Sequence, residues 1–316
     1  MPSNILIIGK IPPPAGGIGI HVERLMEKLR KDNFCFLFFD LRHKPIYLIP
    51  YYIYKNDIIH IHVSNSYLRL ILIIISRILI KKTIFTFHGN VGRFNKLRNS
   101  IDMLSFKFTN IGIVINKDSY LKVKNYQSSQ MITAFLPPYK VNPLPFDMKL
   151  KVESFTKRYK RVFCTNAHGM SFDKNNREIY GILGLIRTFE KLSDFGLIIS
   201  DSMGTYLEYF QGNTTAIPVN VLLLNDKHDF VNIIQISDAF IRATTTDGDS
   251  LSVKESLYYG KCTICSDSVD RAEGVILFET ENWTDLKNKL ENIRNWHPTF
   301  KPESGYPQLI KLYNGK

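Results

Sequence analysis

The sequence is poor in cysteine and in long apolar runs, and each absence excludes a class of protein. Four cysteines in 316 residues are too few for a disulfide scaffold, which favours a reducing, cytoplasmic compartment. The most apolar stretch, residues 67–80, still contains Arg69 and Arg77. As a helix its 14 residues would rise about 21 Å, short of the roughly 30 Å of a bilayer core. A buried or membrane-touching helix is therefore predicted in place of a membrane span.

Acidic residues are also scarce, because 29 Asp and Glu stand against 41 Lys and Arg, a net charge of +12. This excess predicts an anionic partner such as nucleic acid, a phosphorylated substrate or anionic lipid. No nucleic-acid-binding motif accompanies the charge, so nucleic acid is not the predicted partner. The sequence also lacks Gly-x-Ser-x-Gly, His-Glu-x-x-His and the Gly-Lys-Ser/Thr of a Walker loop.

Short apolar runs alternate with helical patterns along most of the chain. Strands are predicted at residues 4–9, 34–39, 57–63, 83–87, 111–115, 161–165, 196–200, 218–224, 239–242 and 262–266, and helices at about 18–29, 67–80, 178–192, 251–259 and 306–313. Such alternation predicts α/β domains, each with a parallel sheet covered on both faces. Four prolines within residues 136–145 mark the boundary between two domains.

A glycine loop joins the first predicted strand to the first helix. Gly16, Gly17 and Gly19 would let backbone come close to a ligand, and the free N–H groups of the helix start favour a phosphate. The spacing differs from the dinucleotide fingerprint, whose third glycine would fall at Val22. Phosphate contact and a purely structural turn therefore both remain open from the residues alone.

Two acids, Asp247 and Glu255, stand eight positions apart around the start of a predicted helix that Asp249 or Ser250 could cap. Both acids could point into one cleft at the carboxyl edge of a parallel sheet, where such folds bind ligands. A carboxylate suits vicinal hydroxyls of a sugar or ribose, because it accepts two hydrogen bonds. Capping acids on a solvated helix face are the alternative interpretation.

Histidines and a cysteine pair give weaker signals. His60 and His62 are predicted to face opposite sides of their strand, which would keep them from sharing a metal ion. His88 ends a predicted strand and so lies at a carboxyl sheet edge. Cys262 and Cys265 form a C-x-x-C inside a strand with no second pair, so buried small residues are expected there and no metal site is predicted.

Three segments together resemble the retaining family-four glycosyltransferases. In residues 242–260, RATTTDGDSLSVKESLYYG, an acid, a glutamate eight positions later and a glycine five further on match that family's nucleotide-binding signature. Residues 13–22, PPAGGIGIHV, are similar to its N-terminal donor loop, and residues 86–89, TFHG, to its central histidine motif. The Asp-Gly-Asp-Ser form of the signature is similar to that of bacterial capsule and O-antigen transferases.

The resemblance implies the GT-B fold, in which two Rossmann-like domains with doubly wound parallel sheets face each other across a cleft. It divides the chain into an acceptor-binding domain at 1–145, a nucleotide-sugar donor domain at 146–300 and a final helix at 301–316 that returns to the first domain. Departures are the shorter Asp247 where the family has Glu, and Asp249 with Ser250 in place of its usual Phe-Gly.

The resemblance also implies roles for particular residues. Glu255 would hold the ribose of the donor and Asp247 the hydroxyls of its sugar, while His88 would contact the sugar near the reacting carbon. The remaining groups would face the diphosphate or sugar: Gly16, Gly17, Gly19, Lys174, Arg177, Ser250 and Leu251, with Arg242 and Arg271 as alternative cations.

The predicted reaction is metal-independent transfer from a nucleotide-diphosphate sugar, with no cofactor, onto a lipid-linked or other oligosaccharide acceptor of surface polysaccharide or lipopolysaccharide synthesis. The positive charge and the aromatic stretches at residues 46–54 favour a peripheral location on the anionic inner face of the plasma membrane. Two alternatives stay open: a sugar-nucleotide epimerase on the same fold, and a non-catalytic glycan-binding protein.

Overall fold

The structure is a computed structural model that describes residues 4–12, 16–173, 175–213, 216–293 and 300–315. The chain divides into two compact units, unit 1 at Met1–Tyr139 with Glu303–Lys316 and unit 2 at Lys140–Pro302. Each unit contains a six-stranded sheet in which every pair of neighbouring strands is parallel. The predicted α/β class, with two Rossmann-like parallel sheets, is confirmed.

Unit 1 alternates strands and helices around a sheet of order β2-β1-β3-β4-β5-β6. Its strands are β1 (Ile5–Gly9), β2 (Phe36–Asp40), β3 (Ile58–Ile61), β4 (Lys82–Phe87), β5 (Ile111–Val114) and β6 (Ser129–Met131). Its helices are α1 (Gly17–Lys31), α2 (Ile49–Tyr54), α3 (Ser66–Ile78), α4 (Lys96–Phe108), α5 (Lys117–Val123) and, at the end of the chain, α12 (Tyr306–Tyr313).

The unit 1 sheet buries apolar side chains on both faces, as its continuous apolar strands predict. Ile5 and Ile7 of β1 pack on the face that α1 and α12 cover, whereas Leu6 and Ile8 pack on the opposite face with α2 and α3. This alternation follows from the two-residue period of a strand. Helix α12 reaches that first face through Leu309, one of its fully buried side chains.

Unit 2 repeats the design with a sheet of order β12-β11-β10-β7-β8-β9. Its strands are β7 (Arg161–Ala167), β8 (Phe195–Asp201), β9 (Val221–Leu224), β10 (Ala239–Arg242), β11 (Cys262–Ser266) and β12 (Ile276–Phe278). Its helices are α6 (Phe146–Thr156), α7 (Ile182–Phe189), α8 (Thr205–Gly212), α9 (Phe230–Ile236), α10 (Leu251–Tyr258) and α11 (Trp283–Asn292).

The cysteine pair of unit 2 is part of the core. Cys262 and Cys265 lie three positions apart on β11, so they enter the apolar clusters on opposite faces of the sheet. Burial raises the pKa of both thiols to about 12, which keeps them protonated near neutral pH. The expectation of small buried residues at this C-x-x-C is confirmed.

The helix predicted at 178–192 is shorter in the structure, where α7 runs from Ile182 to Phe189 and Glu178 forms an isolated bridge with Phe172. Glu178 accepts hydrogen bonds from the backbone N–H groups of Ile182 and Leu183 at 2.8 and 3.0 Å, which caps the start of α7. Gly181 adopts a left-handed φ of 67° directly before the helix. An apolar period alone therefore placed the helix start one turn too early.

Membrane spans were not predicted from the sequence. Within the described ranges, none of the helices is both long enough and apolar enough to cross a bilayer.

Candidate functional site

A cluster of charged side chains in unit 2 surrounds the loop between β10 and α10. The Asp247 carboxylate accepts hydrogen bonds from Arg242 Nε at 2.8 Å and from Arg271 Nη1 at 3.0 Å. Arg242 ends β10 and Arg271 follows β11, so two neighbouring parallel strands bring both cations to one carboxyl edge. Thr244 Oγ1 and the Gly248 N–H also donate to Asp247, at 3.3 and 3.0 Å. We call Asp247, Arg242 and Arg271 the arginine clasp.

In the clasp, the ion pairs have a larger effect than burial on the pKa values of Asp247 and Arg242. Burial alone would raise the pKa of Asp247, but the charges and hydrogen bonds of Arg242 and Arg271 outweigh it and hold that pKa below its ordinary value. Burial would likewise lower the pKa of Arg242, and the Asp247 carboxylate outweighs that effect and raises it. Asp247 and Arg242 are therefore charged near neutral pH. Because a guanidinium group keeps its proton in proteins, two cations against one anion leave the clasp net positive.

Helix α10 begins directly after this loop and carries the second predicted acid. Of the two predicted capping candidates, Asp249 and Ser250, it is Ser250 that occupies the N-cap position, but its side chain makes no capping hydrogen bond. The first-turn N–H groups from Leu251 onward, together with the helix dipole, form an end that favours an anion. Asp249 pairs with Lys254 at 2.5 Å, and Glu255 lies one turn into the helix with only 6% of its surface exposed.

The loop between β7 and α7 supplies the cations first suggested for a diphosphate. Arg177 pairs with Asp173 at 2.8 Å and with Glu281 at 3.3 Å, so two carboxylates of unit 2 already engage it. Lys174 lies outside the described residues. The same loop reaches the clasp through Tyr180, whose ring centroid is 5.3 Å from the Arg242 guanidinium.

The described part of the glycine loop leaves space beside the start of α1. Gly16 is the N-cap, with extended backbone and no side-chain capping bond. A Cβ built on Gly16 or Gly17 would meet no described atom within 4 Å, which leaves room for a ligand to approach the backbone. Gly19 instead packs against the chain, because its Cβ would lie 3.3 Å from Pro12 Cδ. Residues 13–15 of the loop lie outside the described residues.

His88 follows β4 at the carboxyl edge of the unit 1 sheet, where it meets two other histidines. Its Nε2 lies 3.0 Å from His62 Nδ1, and its ring centroid is 4.9 Å from that of His21 on α1. His21 is one helical turn beyond Gly17, so the glycine-loop helix and His88 belong to one edge of unit 1. The helix that begins at Gly17 and the residue His88, both selected in the sequence analysis, are therefore linked through His21 at one sheet edge.

The prediction that His60 and His62 face opposite sides is wrong. Residues two positions apart in a strand share a face, and the two ring centroids are 4.1 Å apart. His60 is held by Tyr313 Oη at 2.5 Å and by Thr86 Oγ1 at 2.9 Å. The strand period therefore gathers these histidines beneath α1 and α12.

Burial is the main reason that the pKa values of the histidines in this group are low. It lowers the pKa of His21 to about 4 and that of His60 to about 3, and it brings the pKa values of His62 and His88 well below the ordinary value. Neighbouring imidazoles lower the pKa of His60, His62 and His88 further, since each disfavours a positive charge on the next. All four rings are neutral near pH 7.

Sequence reasoning overlooked two parts of these clusters. His21 and His62 received no role, although the helical period from Gly17 and the two-residue strand period would have found them. Arg242 and Arg271 were only alternative cations, because their common attachment to Asp247 depends on β10 lying next to β11.

This chain is similar to known proteins in its three-dimensional structure, and sequence comparison found no match. No protein-family model matches the chain, and no curated protein matches it in sequence. Among solved structures, HepE of Anabaena, crystallised in complexes with UDP, with UDP and glucose and with UDP-glucose, is 13% identical with a TM-score of 0.72. That match covers 99% of this chain and 100% of the other.

Two further solved structures are similar to this one over more than nine-tenths of the chain. Sucrose-phosphate synthase of Thermosynechococcus elongatus is 13% identical with a TM-score of 0.70, covering 99% of this chain and 98% of its own. A glycosyltransferase of Rickettsia africae is 14% identical with a TM-score of 0.64, covering 92% and 87%. With two parallel six-stranded sheets and these structural neighbours, the chain has the two-domain, Rossmann-like GT-B fold.

Proposed function

We propose that the protein is a retaining glycosyltransferase that moves a sugar from a nucleotide-diphosphate sugar to a glycan acceptor. The observation that carries the proposal is the combination, at one sheet edge of unit 2, of a net positive clasp, an uncapped helix start and a buried glutamate. The family-four resemblance supports it, as do GT-B neighbours crystallised with UDP and UDP-glucose. A uridine-linked donor is thus the first to test.

Glu255 is proposed to hold the ribose of the donor. Its carboxylate lies within the first two turns of α10 and is almost fully buried. A carboxylate accepts two hydrogen bonds, which matches the two vicinal hydroxyls of a ribose, and a low-dielectric setting strengthens both. Removing this carboxylate should weaken nucleotide binding more than it alters the fold.

The start of α10 and the arginine clasp are proposed to stabilise the leaving diphosphate. Backbone N–H groups at Ser250 and Leu251 point along a helix dipole that favours anions. Arg242 and Arg271 carry one more positive charge than Asp247 neutralises. Fixed donors and cations of this kind stabilise charge that develops in the transition state without solvent reorganisation, so the proposed reaction needs no metal ion. Arg177 is a further candidate cation.

Asp247 and the unit 1 residues are proposed to act on the sugar. Asp247 Oδ1 accepts at 3.2 Å from Arg242 and at 3.0 Å from the Gly248 N–H, so its orientation is fixed before it accepts hydroxyls of the sugar. His88 is proposed to contact the sugar near the reacting carbon. Gly16 and Gly17 would offer backbone N–H groups, since nothing described fills the space above them.

A turnover assay with and without acceptor tests the proposal and separates its alternatives. UDP-glucose and a panel of other nucleotide sugars are incubated with the protein and an oligosaccharide or lipid-linked acceptor, and both products are identified. Release of the nucleoside diphosphate together with a glycosylated acceptor of unchanged anomeric configuration is expected. Conversion of the donor sugar without acceptor would instead indicate an epimerase, and glycan binding with no donor turnover a non-catalytic protein.

We propose further that the acceptor is lipid-linked and that the protein acts in surface polysaccharide synthesis, as a capsule, O-antigen or lipopolysaccharide enzyme. The support is a surface of unit 1 at α2 and the end of α3, here called the α2–α3 surface. It consists of exposed Tyr51, Tyr54, Ile78 and Ile80 with Lys55 and Lys81. Such a surface suits peripheral attachment to the anionic cytoplasmic face of a membrane.

A further inference from the structure

The histidine group of unit 1 contains buried nitrogen atoms that have no hydrogen-bond partner among the described residues. These atoms are His21 Nε2 and His62 Nε2, and both are fully buried. Both side chains are about 98% buried. A buried polar atom without a partner loses its interaction with water and gains nothing in exchange, so each such atom calls for an explanation.

The hydrogen bonds of His21 fix which of its nitrogens carries a lone pair. Its Nδ1 lies 2.8 Å from the carbonyl oxygen of Ala134, which can only accept, so Nδ1 carries the proton. In the neutral ring Nε2 then presents a free lone pair. A ring that donates from one nitrogen to a backbone carbonyl while the other nitrogen faces a metal is the usual arrangement of a metal-binding histidine.

Three imidazoles converge at this point. One ring nitrogen from each of His21, His62 and His88 lies within 4.8 Å of the others. Nitrogens that share a tetrahedral zinc ion at about 2.0–2.1 Å lie about 3.4 Å from one another. Binding of an ion therefore requires the widest of these nitrogen separations to shorten by up to about 1.4 Å. The three residues come from α1 and from the segments just after β3 and β4, so they are held on different elements.

We propose that His21, His62 and His88 form a binding site for a zinc ion, with the fourth ligand position open to water or a small anion. Three neutral nitrogen donors with no carboxylate among them select zinc and similar transition metals over Mg²⁺ and Ca²⁺, which require oxygen ligands. The ion would link α1 to the carboxyl ends of β3 and β4. The site shares His88 with the proposed glycosyl transfer, in which that side chain would contact the sugar. Metal binding is measured without any sugar donor, so failure of the zinc site and failure of the proposed transfer are distinguishable.

The full-length protein, freed of metal with a chelator, provides the test. Titration with Zn²⁺ by calorimetry, and with Co²⁺ by its visible absorption, should give one bound ion per chain and a higher melting temperature. Excess Mg²⁺ should not displace it. His62→Asn and His88→Asn should each weaken Zn²⁺ binding at least 100-fold, whereas His43→Asn, which changes an exposed histidine of the same unit, should leave it unchanged.

Two results would overturn the proposal. One is the absence of stoichiometric Zn²⁺ binding by the wild-type chain. The other is wild-type affinity in His62→Asn and His88→Asn, which would place the ion elsewhere. Because replacement of buried His62 could impair folding, the half-buried His88 provides the second variant, and circular dichroism of the metal-free variants establishes that each is folded. Loss of Zn²⁺ binding in a folded His88→Asn variant supports the site.

Discussion

Asp247 lies between two arginine side chains and the loop that leads into helix α10. Two arginines hold its carboxylate in place, while its loop leads directly into the start of α10. A single carboxylate between two guanidinium groups organises both cations, which would otherwise repel each other. We therefore regard Asp247 as a residue that positions Arg242 and Arg271 as well as one proposed to bind the sugar.

Replacing Asp247 with asparagine should destabilise unit 2 in a pH-dependent way. At pH 7 the variant leaves Arg242 and Arg271 buried without their carboxylate, which should lower the free energy of unfolding by on the order of 3 kcal/mol. The folded-state pKa of Asp247 is lowered, so its contribution is complete above the unfolded value of about 3.9 and is lost progressively as the pH falls from there through the lower folded-state pKa. The difference between wild type and variant should thus narrow below about pH 4.

Urea unfolding of both proteins from pH 7 to pH 3 measures this difference. Asp194→Asn, which changes an exposed acid of unit 2, is the matched control and should stay close to wild type throughout. A gap between wild type and Asp247→Asn that keeps the same size at every pH would contradict the role given to these ion pairs.

At the scale of elements, continuous apolar runs were sufficient to predict most of the strands. The runs at 58–61, 83–87 and 239–242 contain few polar residues, because both faces of these parallel strands are buried. Helices such as α6 and α8 were not predicted. In α6 the polar and apolar residues show almost no helical separation, so tertiary packing decides the structure there.

The candidate site was predictable only where it is local in sequence. The spacing from Asp247 to Glu255 and the N-cap position of Ser250 follow from the loop and helix themselves. Arg271 joins Asp247 from 24 positions further along, and His21 meets His88 across the sheet edge. Such contacts depend on strand order and helix placement, which a single sequence does not encode in a local pattern.

Gly181, at the start of α7, lies very close to the backbone that follows β10. Its φ of 67° disfavours any other residue, and a Cβ there would lie 2.4 Å from the carbonyl oxygen of Ala243. Gly181→Ala should therefore lower the free energy of unfolding of unit 2 by about 2–4 kcal/mol, combining left-handed strain with overpacking. Chemical denaturation measures the change.

Gly212→Ala is the control for that substitution, because a Cβ at the end of α8 meets no atom of the described residues within 4 Å. Its stability should equal or slightly exceed that of the wild type. Equal stability of Gly181→Ala and Gly212→Ala would show that the space between the start of α7 and the end of β10 can accommodate a Cβ at position 181.

At the scale of the whole molecule, the charge of +12 and the α2–α3 surface favour the same partner. Lys55 Nζ lies 5.8 Å from the ring centroid of Tyr51, and Lys81 Nζ lies 5.7 Å from that of Tyr54. Aromatic rings beside ammonium groups suit the boundary between lipid headgroups and acyl chains. Each basic residue near an anionic surface contributes about 1 kcal/mol at ordinary ionic strength.

Vesicle sedimentation measures this preference. The wild type should pellet with vesicles containing anionic lipid at low salt, and much less with purely zwitterionic vesicles. The double variant Tyr54→Ser with Ile78→Ser should bind several-fold more weakly, because it removes exposed apolar surface from the α2–α3 surface. Leu277→Ser, which changes an exposed leucine of unit 2, should bind as the wild type does. No sedimentation with anionic vesicles would refute the membrane partner.

Binding of nucleotide sugars to wild type and to Glu255 variants tests the central claim most directly. In a thermal-shift screen, a true donor at 100 times its dissociation constant should stabilise the wild type by about 2.7 kcal/mol. Glu255→Ala and the more conservative Glu255→Gln should bind that donor at least tenfold more weakly while remaining folded. Glu153→Ala, at an exposed position of unit 2, should bind it normally. Failure of every nucleotide sugar to stabilise the wild type, or undiminished affinity in both Glu255 variants, would contradict the account.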